Sequence, residues 1–239
     1  QQAPNSTMCS YLNKLLWVLT GNFAKRGTQH LHSSFGPLFR HTPDVGRTPV
    51  TGAPIVGGLI PSNVVPQEML GDHPDRFRAM IVKSSNPAHS LADSNACREA
   101  FSSLELMVVI DVAMTETARL AHYVLPAASQ YEKAESTFFN LEFPHNTFHL
   151  RHRLMEPLEG TLPEPEIWAR LVRALGVVDD ADLEPLRRAA GESREAFTVA
   201  FLEAVGASPA LGKVLPYVLY ETLGPTLPEG LSGAAALWG

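Results

Sequence analysis

"RAMIVKSSNPAHSLADSNACREAFSSLELMVVIDVAMTETARLAHYVLPA" occupies residues 78–127, and its reading decides the fold. Three short apolar runs punctuate it: "RAMIV", "LMVVIDV" and "YVLPA". The middle run is apolar on both faces, as a parallel strand covered by helices is. "SNACREAFSSL" between the first two reads as a helix, with Asp93 or Ser94 as its cap. "TETARLAH" starts a second helix at Thr115. Strand, helix, strand, helix, strand at this spacing predicts two right-handed βαβ units and a parallel sheet with helices on both faces. The fold class is therefore α/β and Rossmann-like.

Upstream, residues 6–19 read as a helix that Ser6 can cap. Met8, Leu12, Leu15, Leu16 and Leu19 share one face, and Gly21 suits the left-handed position after it. Residues 24–66 are rich in Gly, Pro, His and Thr without periodicity and read as a long loop. Downstream, the chain is irregular from 127 to 165. "PEIWARLVRALG" is then a helix with Pro165 near its start and Gly176 past its end. Residues 182–205 read as two helices with Phe197, Phe201 and Val205 on one face. Residues 209–223 are helical but interrupted at Pro216. The expected organisation is a helix and irregular loop over 1–60, a dinucleotide-fold domain over 61–178, and a helical connecting segment over 179–239. With no initiating Met and an Ala-rich apolar finish, the chain reads as an internal piece of a longer polypeptide.

The 239 residues are 45% hydrophobic and 18% charged, which fits a globular protein. A net charge of -6 argues against nucleic acid and anionic membrane surfaces as partners. No apolar run approaches the roughly 18 residues of a membrane span. Gln1 begins in polar sequence with no basic start, which reads as no signal peptide. Cys9 and Cys97 stand in no Cys-x-x-Cys spacing. They read as two buried reduced thiols, in keeping with a reducing, cytoplasmic compartment.

In open α/β sheets, ligands sit beyond the carboxyl ends of the strands. Segments 84–90, 111–115 and 127–132 leave such ends here. Small polar side chains in the first would let backbone N–H groups approach an anion, or they merely turn and cap the chain. Asp111 ends an otherwise apolar strand, a costly place for a carboxylate without a partner. It could grip two adjacent donors of a guanine base, with Thr115 beside it, or both could cap the next element. In "QYEKAES", Glu132, Lys133 and Glu135 read most simply as a charged surface patch. Lys25 and Arg26, beside glycines, could contact a pyrophosphate but read more simply as a basic turn. His145, His149 and His152 have a spacing that could ligate a metal from a helix, but Pro144 and the alternating "NTFHLRH" point to extended chain and no fuller zinc-ligand set accompanies them, so they read as surface residues; His30, His32 and His41 lie in the Gly/Pro-rich loop and read as solvated. No catalytic or metal-ligating residue is assigned.

"SSNPAHSLADS", "VVIDVAMTETARLAHYVLP" and "EKAESTFFN", in that order, resemble the molybdopterin oxidoreductase family, which includes dimethyl sulfoxide reductases, nitrate reductases and formate dehydrogenases. "LTGN" before them and "PEPEIWARLVRALG" after them resemble the family's flanking helices, so the likeness covers about residues 1–178. It implies a domain that holds one of two pyranopterin guanine dinucleotides chelating molybdenum or tungsten. By similarity, Ser84, Ser85 and Asn86 would line the nucleotide, Asp111 and Thr115 would hold guanine, and Gln2 would face the pterin; Glu132 matches a family position, with hydrogen bonding as its implied role. This chain has Ala121-His122 where the family usually writes Ala-Asp, Ser136 where it usually has Gly, and "LEFPHNTFHLRHR" in place of a Gly-Arg-Gln pattern. Nothing here resembles the family's metal ligand or its iron–sulfur cysteines, which the resemblance places upstream.

The leading expectation is a fragment of a formate dehydrogenase-like, molybdopterin-dependent oxidoreductase. Its partners would be the pterin dinucleotide cofactor, the remaining domains of the same polypeptide and an electron-transfer subunit. The alternative is a metal-free relative like the large iron–sulfur subunit of respiratory complex I. A free-standing NAD-binding protein is disfavoured, because no Gly-x-Gly-x-x-Gly follows the first strand.

Overall fold

In the computed structural model, which describes residues 5–29, 46–55, 58–136 and 148–237, the three apolar runs are strands. β1 (Ala79–Lys83), β2 (Leu106–Asp111) and β3 (Tyr123–Pro126) pair in parallel in the order β1-β2-β3. Lys83 stands opposite Ile110, and Asp111 stands opposite Pro126. The carboxyl ends are therefore nearly level, and the loops that leave them share one edge.

Alternation along the strands sends Met80, Val82, Met107, Val109 and Val124 to one face. There they pack with Met69 of α2 (Val65–Leu70), Ala88 of α3 (Pro87–Ser90) and Cys97, Ala100 and Phe101 of α4 (Ser94–Ser102). Among the described residues, the other face is covered only at its carboxyl end, where Ile110 and Leu125 meet Ile167 and Leu171 of α5 (Glu164–Leu175). Ile81 and Tyr123 on that face are more than half exposed, at 53% and 62%. The sheet thus has helices on both faces, fully on one and partly on the other.

Asp93 caps α4 as expected, its carboxylate accepting from the Ala96 N–H at 3.0 Å. The helix expected from Thr115 is reduced to one 3-10 turn, Ala118–Leu120. The link from Asp111 to Tyr123 is too short to lay a full helix back along the strands. Residues 46–55, inside the expected long loop, and α2, which starts at its end, are held together by Glu68. Its buried carboxylate accepts from the N–H groups of Val50 and Thr51, both at 2.9 Å, and from the Thr51 hydroxyl at 2.6 Å. Burial pushes its pKa up, but those bonds and the nearby Thr48 hydroxyl overcome this and hold it at about 2. Where α2 ends, a Cβ on Gly71 would stand 2.3 Å from Val50 Cγ1 and 3.1 Å from the Gln67 carbonyl.

The chain divides into two compact units: Gln1–Arg40 with Ser136–Leu150, and His41–Glu135 with Arg151–Gly239. In the first, α1 (Ser6–Leu19) has Asn5 rather than the expected Ser6 at its N-cap position, with no side-chain capping bond, and Gly21 follows it at φ 69°. Cys9 is exposed, contrary to expectation, because no described residue covers its side of α1, where Met8 and Leu12 are exposed as well; Cys97 is buried in the core. Lys25 forms a turn with Thr28, as expected. β4 (Glu135–Ser136) and β5 (Leu150–Arg151) form a second sheet.

In the second unit, α6 (Asp180–Glu192), α7 (Arg194–Ala207), α8 (Pro209–Lys213) and α9 (Leu215–Thr222) build a separate apolar core around Leu183, Leu186, Phe197, Phe201 and Val218. Pro216 sits in the first turn of α9, where its missing N–H costs nothing. Tyr220 of α9 donates to Glu166 of α5 at 2.6 Å, which ties this core to the sheet-covering helix. Among the described residues, no helix is long and apolar enough to cross a membrane.

Gly71→Ala should destabilise the protein by about 1–3 kcal/mol, since the new methyl overlaps Val50. Val50→Ala should recover part of that loss in the double variant, read by thermal denaturation. Glu68 has a folded pKa of about 2, below its ordinary value of 4.5, so its contribution is present above pH 4.5 and lost as pH falls through 2. Between pH 6 and 2 the wild type should lose roughly 2–4 kcal/mol more stability than Glu68→Gln. Equal losses in the two proteins would remove Glu68 from that role.

Candidate functional site

The three strand exits meet in a cleft of about 530 Å³. The loop after β1 contributes Ser84, Ser85 and Asn86; the loop after β2 contributes Asp111 and Val112. The loop after β3 contributes Ser129, Gln130, Tyr131 and Lys133, and Glu164 closes the wall from the start of α5.

Ser84 donates its N–H to the Ile110 carbonyl at 3.0 Å, which extends the β1–β2 ladder by one rung. It then turns at φ 51°, a left-handed conformation costing a non-glycine residue roughly 1–2 kcal/mol. The turn stops the strand abruptly and leaves Ser84 and Ser85 exposed at the cleft. Asn86 reaches across to the β2 exit. Its Oδ1 accepts from the Thr117 hydroxyl at 2.7 Å and the Thr117 N–H at 3.2 Å, and its Nδ2 donates to Glu116 at 2.6 Å. Thr117 is fully buried, and its hydroxyl oxygen also accepts from the Ala88 N–H at 3.0 Å. The Asn86 bond holds the Glu116 carboxyl below the usual carboxylate range. Thr117 escapes a sequence reading because nothing in "MTETARL" signals which of its two threonines is buried.

Asp111 is half-buried. Its Oδ1 accepts from the N–H groups of Val112 at 2.7 Å and Ala113 at 3.2 Å, which fixes the carboxylate's orientation. Oδ2 has no partner among the described residues. Thr115 stands apart from the cleft lining, and its hydroxyl oxygen accepts from the Ala118 N–H at 3.1 Å, capping the 3-10 turn. Gln2 lies outside the described residues, as do His30, His32, His41 and His145.

The charged surface patch read from "QYEKAES" is corrected in part. Glu132 is buried, accepting from the N–H groups of Ser129 at 2.7 Å and Leu158 at 2.9 Å, and the Ser129 bonds hold its carboxyl below the usual range. Lys133 is nearly covered and donates to Glu164 at 2.6 Å, with Glu135 3.8 Å away. The reason is that an irregular loop needs acceptors for N–H groups that no sheet partner satisfies. The available signal was the long stretch without periodicity after β3. Lys133 and Glu164 also wall a second, largely apolar cavity of about 580 Å³, lined by Trp168, Val172, Tyr217 and Tyr220.

His149 and His152 are exposed, and no cluster among the described residues groups three side chains able to hold a metal ion. The cleft offers the carboxylates of Asp111 and Glu164, the hydroxyls of Ser84, Ser85, Ser129 and Tyr131, the amides of Asn86 and Gln130, and the Lys133 ammonium group, which Glu164 already pairs. The oriented Asp111 carboxylate suits a ligand edge carrying hydrogen-bond donors.

The family model described as Molybdopterin oxidoreductase matches residues 13–173. A trimethylamine-N-oxide reductase of Vibrio vulnificus (strain YJ016) is 33% identical over 100 residues, covering 42% of this chain and 12% of that protein. The F420-dependent formate dehydrogenase subunit alpha of Methanocaldococcus jannaschii is 33% identical over 112 residues, covering 47% of this chain and 16% of that protein. The structure of acetylene hydratase from Pelobacter acetylenicus aligns with a TM-score of 0.46 and 21% identity, over 51% of this chain and 16% of its own. The chain thus matches only a small part of each relative's length. With a family match running through the sheet, the three exit loops and α5, this chain belongs to the molybdopterin oxidoreductase family.

Proposed function

We propose that this chain supplies a nucleotide-binding edge of a molybdopterin-dependent oxidoreductase, and that the guanine dinucleotide form of the cofactor lies in the cleft. The observation that carries this reading is the Asp111 carboxylate. Backbone N–H groups fix one of its oxygens, and the other has no partner among the described residues at the exit of the central strand. The residues present fit the group, since a carboxylate accepts from the ring N–H and exocyclic amine that guanine places side by side. When bound, the pterin and its metal supply the two-electron redox chemistry. This chain's part is to bind and orient. Asp111 takes the base edge, Ser84 and Ser85 offer hydroxyls, and Asn86 holds the β1 exit against the β2 exit. Thr115 serves the loop rather than the base, through its bond to Ala118.

The substrate, the electron-transfer subunit, any iron–sulfur cluster and the cytoplasmic location are proposals about the whole protein. A formate dehydrogenase-like activity is one reading, and the trimethylamine-N-oxide reductase likeness makes oxide reduction the other assay to run. The metal content of matured full-length protein separates the enzyme from a metal-free relative. Molybdenum or tungsten is expected, and the lack of both would overturn the enzyme reading.

Asp111→Asn keeps an oxygen for the Val112 and Ala113 N–H groups but presents an amide donor where guanine needs an acceptor. In the full-length protein it should weaken guanine nucleotide retention about 10- to 100-fold or more. Its melting temperature, read after cofactor removal, should stay near that of wild type. Undiminished guanine nucleotide, released on denaturation and quantified chromatographically, would end the proposal for Asp111.

A further inference from the structure

Resting on that reading of the cleft, we infer that Tyr131 is a base-stacking residue, with Val112 forming the apolar surface beside the edge-reading carboxylate. A carboxylate that pairs with a base edge leaves the two flat faces of the base to be covered. Base faces are apolar and polarisable, so they favour an aromatic ring over water. The cleft is otherwise lined by small polar and charged groups, yet it carries two large apolar side chains left open to solvent. Tyr131 is 51% exposed and Val112 is 63% exposed.

Tyr131 is not exposed because its loop is loose. Every residue around it is held. The Ser129 N–H bonds to Glu132 at 2.7 Å, and Glu132 accepts from Leu158 at 2.9 Å. The Gln130 carbonyl accepts from the Arg151 guanidinium, and the Tyr131 carbonyl accepts from the N–H groups of Leu154 at 2.8 Å and Met155 at 3.2 Å. A buried carboxylate and two backbone-to-backbone bonds thus brace a segment whose one large ring stays half in water. Preparing the ring before binding reduces the ordering that a ligand must impose. Val112 is fixed in the same way, since its own N–H is the stronger of the two donors on Asp111 Oδ1. One backbone bond therefore sets both the carboxylate and the apolar group next to it.

The test uses matured full-length protein carrying Tyr131→Ala, Tyr131→Phe or Val112→Ser. Guanine nucleotide remaining on the protein is quantified after timed incubation at raised temperature. Tyr131→Ala should release it roughly 10- to 100-fold faster than wild type. Tyr131→Phe keeps the ring and should release it at the wild-type rate, and Val112→Ser should fall between. Melting curves of the cofactor-free proteins should coincide, because the braces on this loop come from backbone atoms and Glu132. Wild-type release by Tyr131→Ala overturns the stacking role, and so does equal acceleration by Phe and Ala, which would assign the effect to the hydroxyl. Wild-type protein that carries no guanine nucleotide overturns the reading of the cleft instead, so the two failures are distinguishable.

Discussion

The Thr117 hydroxyl joins the exits of β1 and β2. Buried beneath both loops, it donates to Asn86 Oδ1 at 2.7 Å and accepts from the Ala88 N–H at 3.0 Å. A buried hydroxyl that lost either partner would leave an unsatisfied group costing about 1–3 kcal/mol. The two loops therefore hold one arrangement or pay for two broken contacts at once. The sheet alone could not enforce this, because its ladder ends at Lys83 and Asp111 and the loops begin where pairing stops. Fixing Asn86 also fixes where Ser84 and Ser85 stand, since only a left-handed turn separates them from the strand. The cleft's floor thus depends on one threonine outside the run of residues that face it.

The same chemistry recurs at each irregular segment. Glu68 gathers the N–H groups of 46–55, Asp93 those opening α4, Asp111 those after β2 and Glu132 those after β3. Where strands and helices lapse, backbone donors still need acceptors, and short acidic side chains are the compact supply. Glu68 and Glu132 spend both oxygens in this way. Asp111 spends one. Asp93 also spends one, but of these two only Asp111 lines the cleft, and that position, rather than the presence of acid, singles it out.

The sheet was legible because its signal is local and strong: three apolar runs of strand length, with Asp93 marking the helix between two of them. Gly176 past α5 and Pro216 at the head of α9 were legible for the same reason, since each has a conformation few other residues favour. The convergence of the three exits followed from parallel pairing. What could not be read is what depends on distant partners. Glu68 and Thr51 lie 17 residues apart, Asn86 and Thr117 31 apart, and Glu132 and Leu158 26 apart. No periodicity links such pairs, so Glu132 and Lys133 read as surface charge and Thr117 as unremarkable. The helix expected at Thr115 failed for another reason: its composition suits a helix, but the tether to β3 allows only one turn.

The sequence's departures from its family's usual pattern can be weighed by what the replaced atoms do. At His122, where the family usually has Asp, Nδ1 accepts the Met107 N–H at 2.9 Å. A carboxylate would serve the same edge of β2, so an acceptor has been kept. At Ser136, where the family usually has Gly, the residue lies in a short strand and is not among the described non-glycine residues of positive φ, which are Ala24, Ser84 and Asp93. The backbone there makes no demand that only glycine meets. Neither change touches the lining of the cleft. These two changes fall where hydrogen-bond type or backbone freedom is interchangeable, away from the cleft that Asp111 and Tyr131 line.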